Sequence, residues 1–163
     1  MIRLAEETFE ARNDPDQLDV DDQVIRRLQS LHPATLTERI EGDGPVAWIL
    51  LIPTTRETME LFVNGVIGER ELLERTRPGE QAEAIYLCSA LVLPEFRKKG
   101  YARELTLKVI EAIRRDFPIR YLYVWPFSEQ GLRLAQRLAE ECRLPLSTRP
   151  NDHGSRGSAH PDM

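Results

Sequence analysis

An α/β fold built around a parallel βαβ unit is what this sequence predicts, on three observations. Two short apolar runs, Ala84 to Leu93 (AIYLCSALVL) and Ile119 to Trp125 (IRYLYVW), are rich in strand formers, and a proline closes each. Between them Ala102, Leu105, Val109, Ile110 and Ile113 fall on one helical face, with Glu104, Lys108, Glu111 and Arg115 on the other. Strand, loop, helix and strand in that order close through a right-handed crossover. The two strands are then parallel, and the loop lies at the carboxyl end of the first.

The remaining elements fit around that unit in chain order. Up to Asp22 the chain is acidic, eight carboxylates against Arg3 and Arg12 for a balance of −6, and reads as a loop or short surface helix around Pro15. Asp14, Asp16 and Asp19 suggest calcium, but a calcium loop needs a ligand at its fifth position and Gly at its sixth. Leu18 and Asp19 stand there, so no metal is expected. Val24, Ile25, Leu28 and Leu31 recur at helical spacing until Pro33. Glu41 to Pro45 is a turn cluster, and Val46 to Ile52 is a continuous apolar run read as a central strand ended by Pro53. Helical spacing returns from Thr55 to Asn64 and from Glu69 to Thr76, with Gly65 and Gly68 between, and these helices are expected to wall a cleft. Ser128 is a suitable N-cap for a last helix with Leu132, Ala135, Leu138, Ala139 and Cys142 inward. One domain is expected over residues 1–146. Residues 147–163 have no apolar pattern and are expected to be a disordered tail, with His153 and His160 solvated.

Size and composition narrow the function classes. A chain of 163 residues is ordinary for one core, and 41 % hydrophobic with 30 % charged residues is ordinary for a globular protein. No apolar run approaches the roughly 20 residues of a bilayer span, so no membrane partner is expected. Met1 to Leu4 leads straight into Glu6, Glu7 and Glu10 without the order of a secretory signal, and the expected location is cytoplasmic. Cys88 and Cys142 read as buried reduced thiols.

The formal charge is −5, yet residues 97 to 120 carry eight cations against Glu104, Glu111 and Asp116, a local +5 suited to a phosphorylated ligand. The loop Arg97-Lys98-Lys99-Gly100-Tyr101-Ala102 opens a helix, where unpaired N–H groups and the helix dipole favour an anion. The plain alternative is an ordinary helix start with a solvated basic cap. No G-x-x-x-x-G-K-[ST] is present, and no G-x-G-x-x-G follows a strand. The basic patch is too small, on an acidic chain, for nucleic acid to be an expected partner.

Leu91 to Ala102 (LVLPEFRKKGYA) resembles the acyl-CoA signature of the GNAT acetyltransferase superfamily, [Q/R]-x-x-G-x-[G/A] after a strand ending in Val-x-Pro. The resemblance implies a central mixed sheet flanked by helices, with acetyl-CoA as acyl donor and no metal. It places the main chain of Ala90, Leu91 and Val92 against the pantetheine arm. Arg97, Lys98, Lys99, Gly100, Tyr101, Ala102 and Arg103 would hold the pyrophosphate, and Ser128 stands near an Asn that touches pantetheine in many members. The implied activity is N-acetyl transfer by direct attack of an amine acceptor. The alternative is a GNAT-like module that binds CoA and has lost catalysis.

Direct attack needs no protein nucleophile, so Cys88 and Ser89 read as strand filling. Two usual catalytic positions differ: the Tyr acid of many members is Ala135 here, and the Glu base of histone-type members is Tyr86. Tyr86, Tyr121, Tyr123 and Glu83 lie on or beside the central strands, and none is singled out as acid or base. The acceptor site is expected between the helices at 55–76 and the first helix, and a homodimer is left open.

Overall fold

The structure, a computed structural model, describes residues 21–151. The acidic stretch before Asp21, with the calcium-like aspartates, and the histidines at 153 and 160 lie outside the described residues. Helix α1 (Asp22–Leu31) starts where the Asp21 side chain accepts from the Val24 N–H, and it buries Leu28 and Leu31. A two-residue turn with Gly42 at φ 61° joins β1 (Leu36–Glu41) to β2 (Gly44–Thr54), as a tight antiparallel connection requires. Two short helices follow, α2 (Arg56–Val63) and α3 (Glu69–Arg75). Then come β3 (Ala84–Val92), a 3-10 turn (Pro94–Phe96), α4 (Tyr101–Asp116), β4 (Tyr121–Val124), α5 (Glu129–Cys142) and β5 (Leu146–Thr148).

The strands form one mixed sheet in the order β1-β2-β3-β4-β5. β1, β2 and β3 pair antiparallel, while β3, β4 and β5 pair parallel. The fold class and the parallel βαβ unit are therefore as the sequence predicts. β2 continues through Pro53 to Thr54 rather than stopping before the proline. Its register with β1 ends at Leu50, so at Pro53 only β3 is a strand neighbour, and a missing N–H is tolerated on an open side.

Two strands escape the sequence reading. β1 (LTERIE) is a polar edge strand whose Ile40 is 65 % exposed, so it lacks the apolar run that marks a buried strand. β5 holds Ser147 and Thr148, and Arg149 beyond it is only 4 % exposed. The folded part therefore runs at least through residue 149, which corrects the expected start of a disordered tail at residue 147. Parallel pairing with β4 supplies the hydrogen bonds these polar residues need, and polar composition does not register that.

Each sheet face has its own core. α1, α2 and α3 cover one face, where the Phe62 ring packs 4.7 Å from Tyr86, 5.9 Å from Tyr123 and 5.9 Å from Trp125. α4 and α5 cover the other through Val109, Ile110, Ile113 and Ala139 against Ile49, Ile85 and Leu122. Arg27 of α1 closes the end of α3 by donating to the carbonyls of Leu73 (3.1 Å), Glu74 (2.9 Å) and Thr76 (2.9 Å). Among the described residues no helix is long and apolar enough to cross a membrane.

Phe62 has no exposed surface and three aromatic neighbours, so Phe62→Ala should cost about 3–5 kcal/mol of stability, read as a lower urea midpoint. A loss under about 1 kcal/mol would mean that this face is not packed as described.

Candidate functional site

The site begins with the way β3 leaves its parallel neighbour. β3 and β4 pair only from Ala84↔Tyr121 to Leu87↔Val124, while β3 goes on to Val92 and keeps its antiparallel pairing with β2. At the same point the register with β2 shifts: Leu50 faces Ser89 and Leu51 faces Leu87, leaving Cys88 as the extra residue of a bulge. A bulge sharpens local twist and bends its strand. The edge of β3 from Cys88 to Val92 therefore has no strand beside it where β4 would continue. Ala90 and Val92 are half-buried there and Leu91 is 2 % exposed.

The basic loop sits just past that edge. Lys98 (φ 64°) and Gly100 (φ 78°) are left-handed while Lys99 between them is not, and alternating backbone of this kind is a general way in which loops turn successive N–H groups toward an anion. Lys98 bears a left-handed cost of about 1–2 kcal/mol that an ordinary helix start does not need. Gly100 is the N-cap of α4 and supplies no side-chain cap, so no side chain caps the first-turn N–H groups of α4. A Cβ added at Gly100 would meet nothing within 4 Å, which leaves open space for a ligand.

The cations of the loop divide by partner. Arg97 Nε donates to the Val92 carbonyl at 3.2 Å, covering the last acceptor of the open strand edge. Lys98 and Lys99 are both exposed, with the Lys99 ammonium 5.2 Å from the centre of the Phe96 ring. Arg103 makes a bidentate ion pair with Glu141 of α5, so the structure gives it a helix-to-helix role. Tyr101 donates to Glu41 at 2.7 Å, and Arg39 stacks 3.9 Å over its ring while also pairing with Glu41 and Glu104. β1 thus anchors the start of α4. Ala102 is half-buried in the same first turn. Ser128 is an N-cap that accepts from the Gly131 N–H at 3.0 Å, which is the plain role for a serine there.

Of the residues beside the central strands, the structure brings together some and separates others. Tyr86 and Tyr123 are fully buried and stack with ring centroids 5.0 Å apart across the parallel pair. Burial pushes the Tyr123 phenol up, and its oxygen lies 2.8 Å from Thr54 Oγ1. Burial first, then the Glu69 carboxylate, pushes Tyr86 well above the ordinary phenol range. Tyr121 and Glu83 belong to the amino end of the pair, opposite the opening. Ala135 is buried and carries no proton to donate.

Sequence reasoning missed Glu69 and Arg149. Glu69 is 4 % exposed, and its Oε2 accepts from Tyr86 Oη at 2.6 Å and from Cys88 Sγ at 3.6 Å. Burial, then Glu69, holds the Cys88 thiol well above its ordinary value, and burial raises Cys142 as well; both cysteines are free. Arg149 donates to the Ile67 carbonyl at 2.8 Å and lies over the Phe62 and Trp125 rings. The one sequence signal for Glu69 is a carboxylate opening a helix, which is so common that it singles out nothing.

A hollow of about 610 Å³ is lined by Gln136, Ala139, Glu140, Arg143, Leu144 and Leu146. None of these belongs to the loop or to β3, and its polar side chains are exposed, so the loop and the strand edge remain the better site. Among the described residues no group of three or more His, Cys, Asp or Glu could hold a metal.

A family model described as the acetyltransferase (GNAT) family matches residues 2–142. No curated protein matches the chain.

The Tyr101 hydrogen bond, then Arg39, holds the Glu41 carboxyl below its ordinary range, and the same hydrogen bond raises Tyr101. This favourable pairing is present above the ordinary carboxylate range and is lost as pH falls through the lowered value. Tyr101→Phe should move the Glu41 titration upward when followed by carboxyl-carbon NMR. An unmoved titration would mean that the contact is not made in solution.

Proposed function

The chain belongs to the GNAT acetyltransferase family, and from that premise we propose that it transfers an acetyl group from acetyl-CoA to an amine by direct attack. The observation that carries this reading is the open edge of β3 beside the basic loop with its left-handed Lys98 and Gly100. The pyrophosphate sits at Lys98 to Ala102, on the N–H groups of the loop and the start of α4. From there the pantetheine arm, an extended chain with two amides, runs along the edge from Val92 toward Cys88. That span is about 13 Å at roughly 3.3 Å per residue. On that edge the main chain of Ala90 and the Val92 N–H face outward, while Leu91 is turned to β2 and Arg97 holds the Val92 carbonyl, and these outward groups are the ones an added strand would use.

The thioester then arrives where β3 and β4 part. The opening leads from the face covered by α4 to the face covered by α1, α2 and α3, so donor and acceptor approach from opposite sides of the sheet. A second reading, a CoA-binding module without catalysis, is favoured by Ala135, which puts a buried methyl where a proton donor would serve. Thiol release from acetyl-CoA over a panel of amines separates the two.

Gly100→Asp should lower CoA affinity by about 10³-fold in calorimetry, because two unit charges 4 Å apart at an effective dielectric of about 20 repel by about 4 kcal/mol. Gly100→Asn, which tolerates the left-handed backbone, should lose no more than about tenfold. Equal losses would point to backbone strain instead, and unchanged affinity in both folded variants would sink the assignment.

A further inference from the structure

We infer that Glu69 is the proton acceptor for the incoming amine and that Tyr86 positions its carboxylate. The inference rests on the acetyl-transfer reading above. A buried carboxylate is costly unless it is held by donors, and α3 has Leu72 and Leu73 to bury without it. Glu69 nevertheless enters the sheet face at Tyr86 and Cys88, the two β3 residues that flank the end of parallel pairing on that face. Cys88 is the bulge residue and is half-buried, so the cluster reaches the sheet where β3 and β4 part.

The other candidates are placed for different work. Tyr123 is engaged with Thr54, and Tyr121 and Glu83 lie at the far end of the pair. The titratable and charged groups around Glu69 include Tyr86 and Cys88 from β3, Tyr123 from β4, and Arg149, which holds the Ile67 carbonyl two residues before Glu69. Tyr86 keeps its proton across the working range and so acts as donor to the carboxylate.

With an ammonium acceptor, one N–H proton passes to Glu69, and the freed lone pair attacks the acetyl carbon. The C–N bond forms, the C–S bond breaks on collapse, and CoA leaves as a thiolate that takes the second N–H proton. Glu69 then returns its proton to water.

The test uses the full chain with acetyl-CoA, read as thiol release, with a polyamine, an aromatic amine, a peptide with a free amino terminus, and water alone. Glu69→Gln should bind CoA within about twofold of the unaltered protein yet lose about 10²-fold or more in kcat, with a rate that climbs as pH frees the amine. Tyr86→Phe keeps the ring but removes the donor, so it should shift the acidic limb of the kcat/KM profile to higher pH. A purely structural role would not move that limb. Glu69→Gln turning over at the unaltered rate, or an unmoved limb in Tyr86→Phe, overturns the inference, and the second decides if the first variant does not fold. Unaltered protein that binds CoA but releases thiol no faster than buffer also overturns it and leaves the CoA site standing. Failure to bind CoA would instead sink the reading on which it rests.

Discussion

Everything about the candidate site depends on β4 stopping after four residues while β3 continues. Main-chain groups without a partner are costly, and sheets rarely leave a strand edge open in the middle. Here the bulge at Cys88 bends β3 as its pairing with β4 ends, and Pro126 closes β4 shortly after. Arg97 covers the Val92 carbonyl at the far end of the edge. The sheet is thereby divided at its carboxyl end, and the stacked Tyr86 and Tyr123 rings hold β3 to β4 just before the two strands part. Unpaired strand edges are in general where an extended chain with alternating donors and acceptors can add.

That division gives the two faces different chemistry. The loop side is cationic, but its cations are not equivalent: Arg103 is committed to Glu141 and Arg97 reaches the strand, which leaves Lys98 and Lys99 nearest to solvent. Arg39, Glu41, Tyr101 and Glu104 hold the start of α4 against β1 through contacts near the surface that add little stability singly. Their value is geometric, because they fix the helix start relative to the sheet. The other face is apolar and aromatic, with the Glu69 carboxylate and the Arg149 guanidinium set into it.

The parts of this protein that are legible from sequence are those encoded over short spans. The run AIYLCSALVL, the loop RKKGYA and the helical face from Ala102 to Ile113 are contiguous, and each states its own structure through period, proline and glycine. Ser128 declares itself as a cap for the same reason. β1 and β5 are strands only because a neighbour pairs with them, and their polar residues carry no period that a single segment could reveal. Glu69 is invisible for a related cause: what distinguishes it is contact with Tyr86 and Cys88, 17 and 19 residues away in the chain.

Tyr86 stands where the resemblance to histone-type members of the family would place a glutamate, and from sequence alone that looks like a lost base. In three dimensions the phenol projects to the face where α3 delivers a carboxylate, 2.6 Å from its oxygen. A carboxylate brought in from a helix is held less directly than one on a strand, since its position depends on how α3 docks. Arg27 closes the far end of α3 with three hydrogen bonds to its terminal carbonyls, and Arg149 holds the Ile67 carbonyl just before its first turn. The two arginines thus fix both ends of a seven-residue helix that would be marginal alone. With the helix held, only the side-chain rotamer of Glu69 is left to settle, and the short hydrogen bond from Tyr86, made where water is excluded, acts on that rotamer directly.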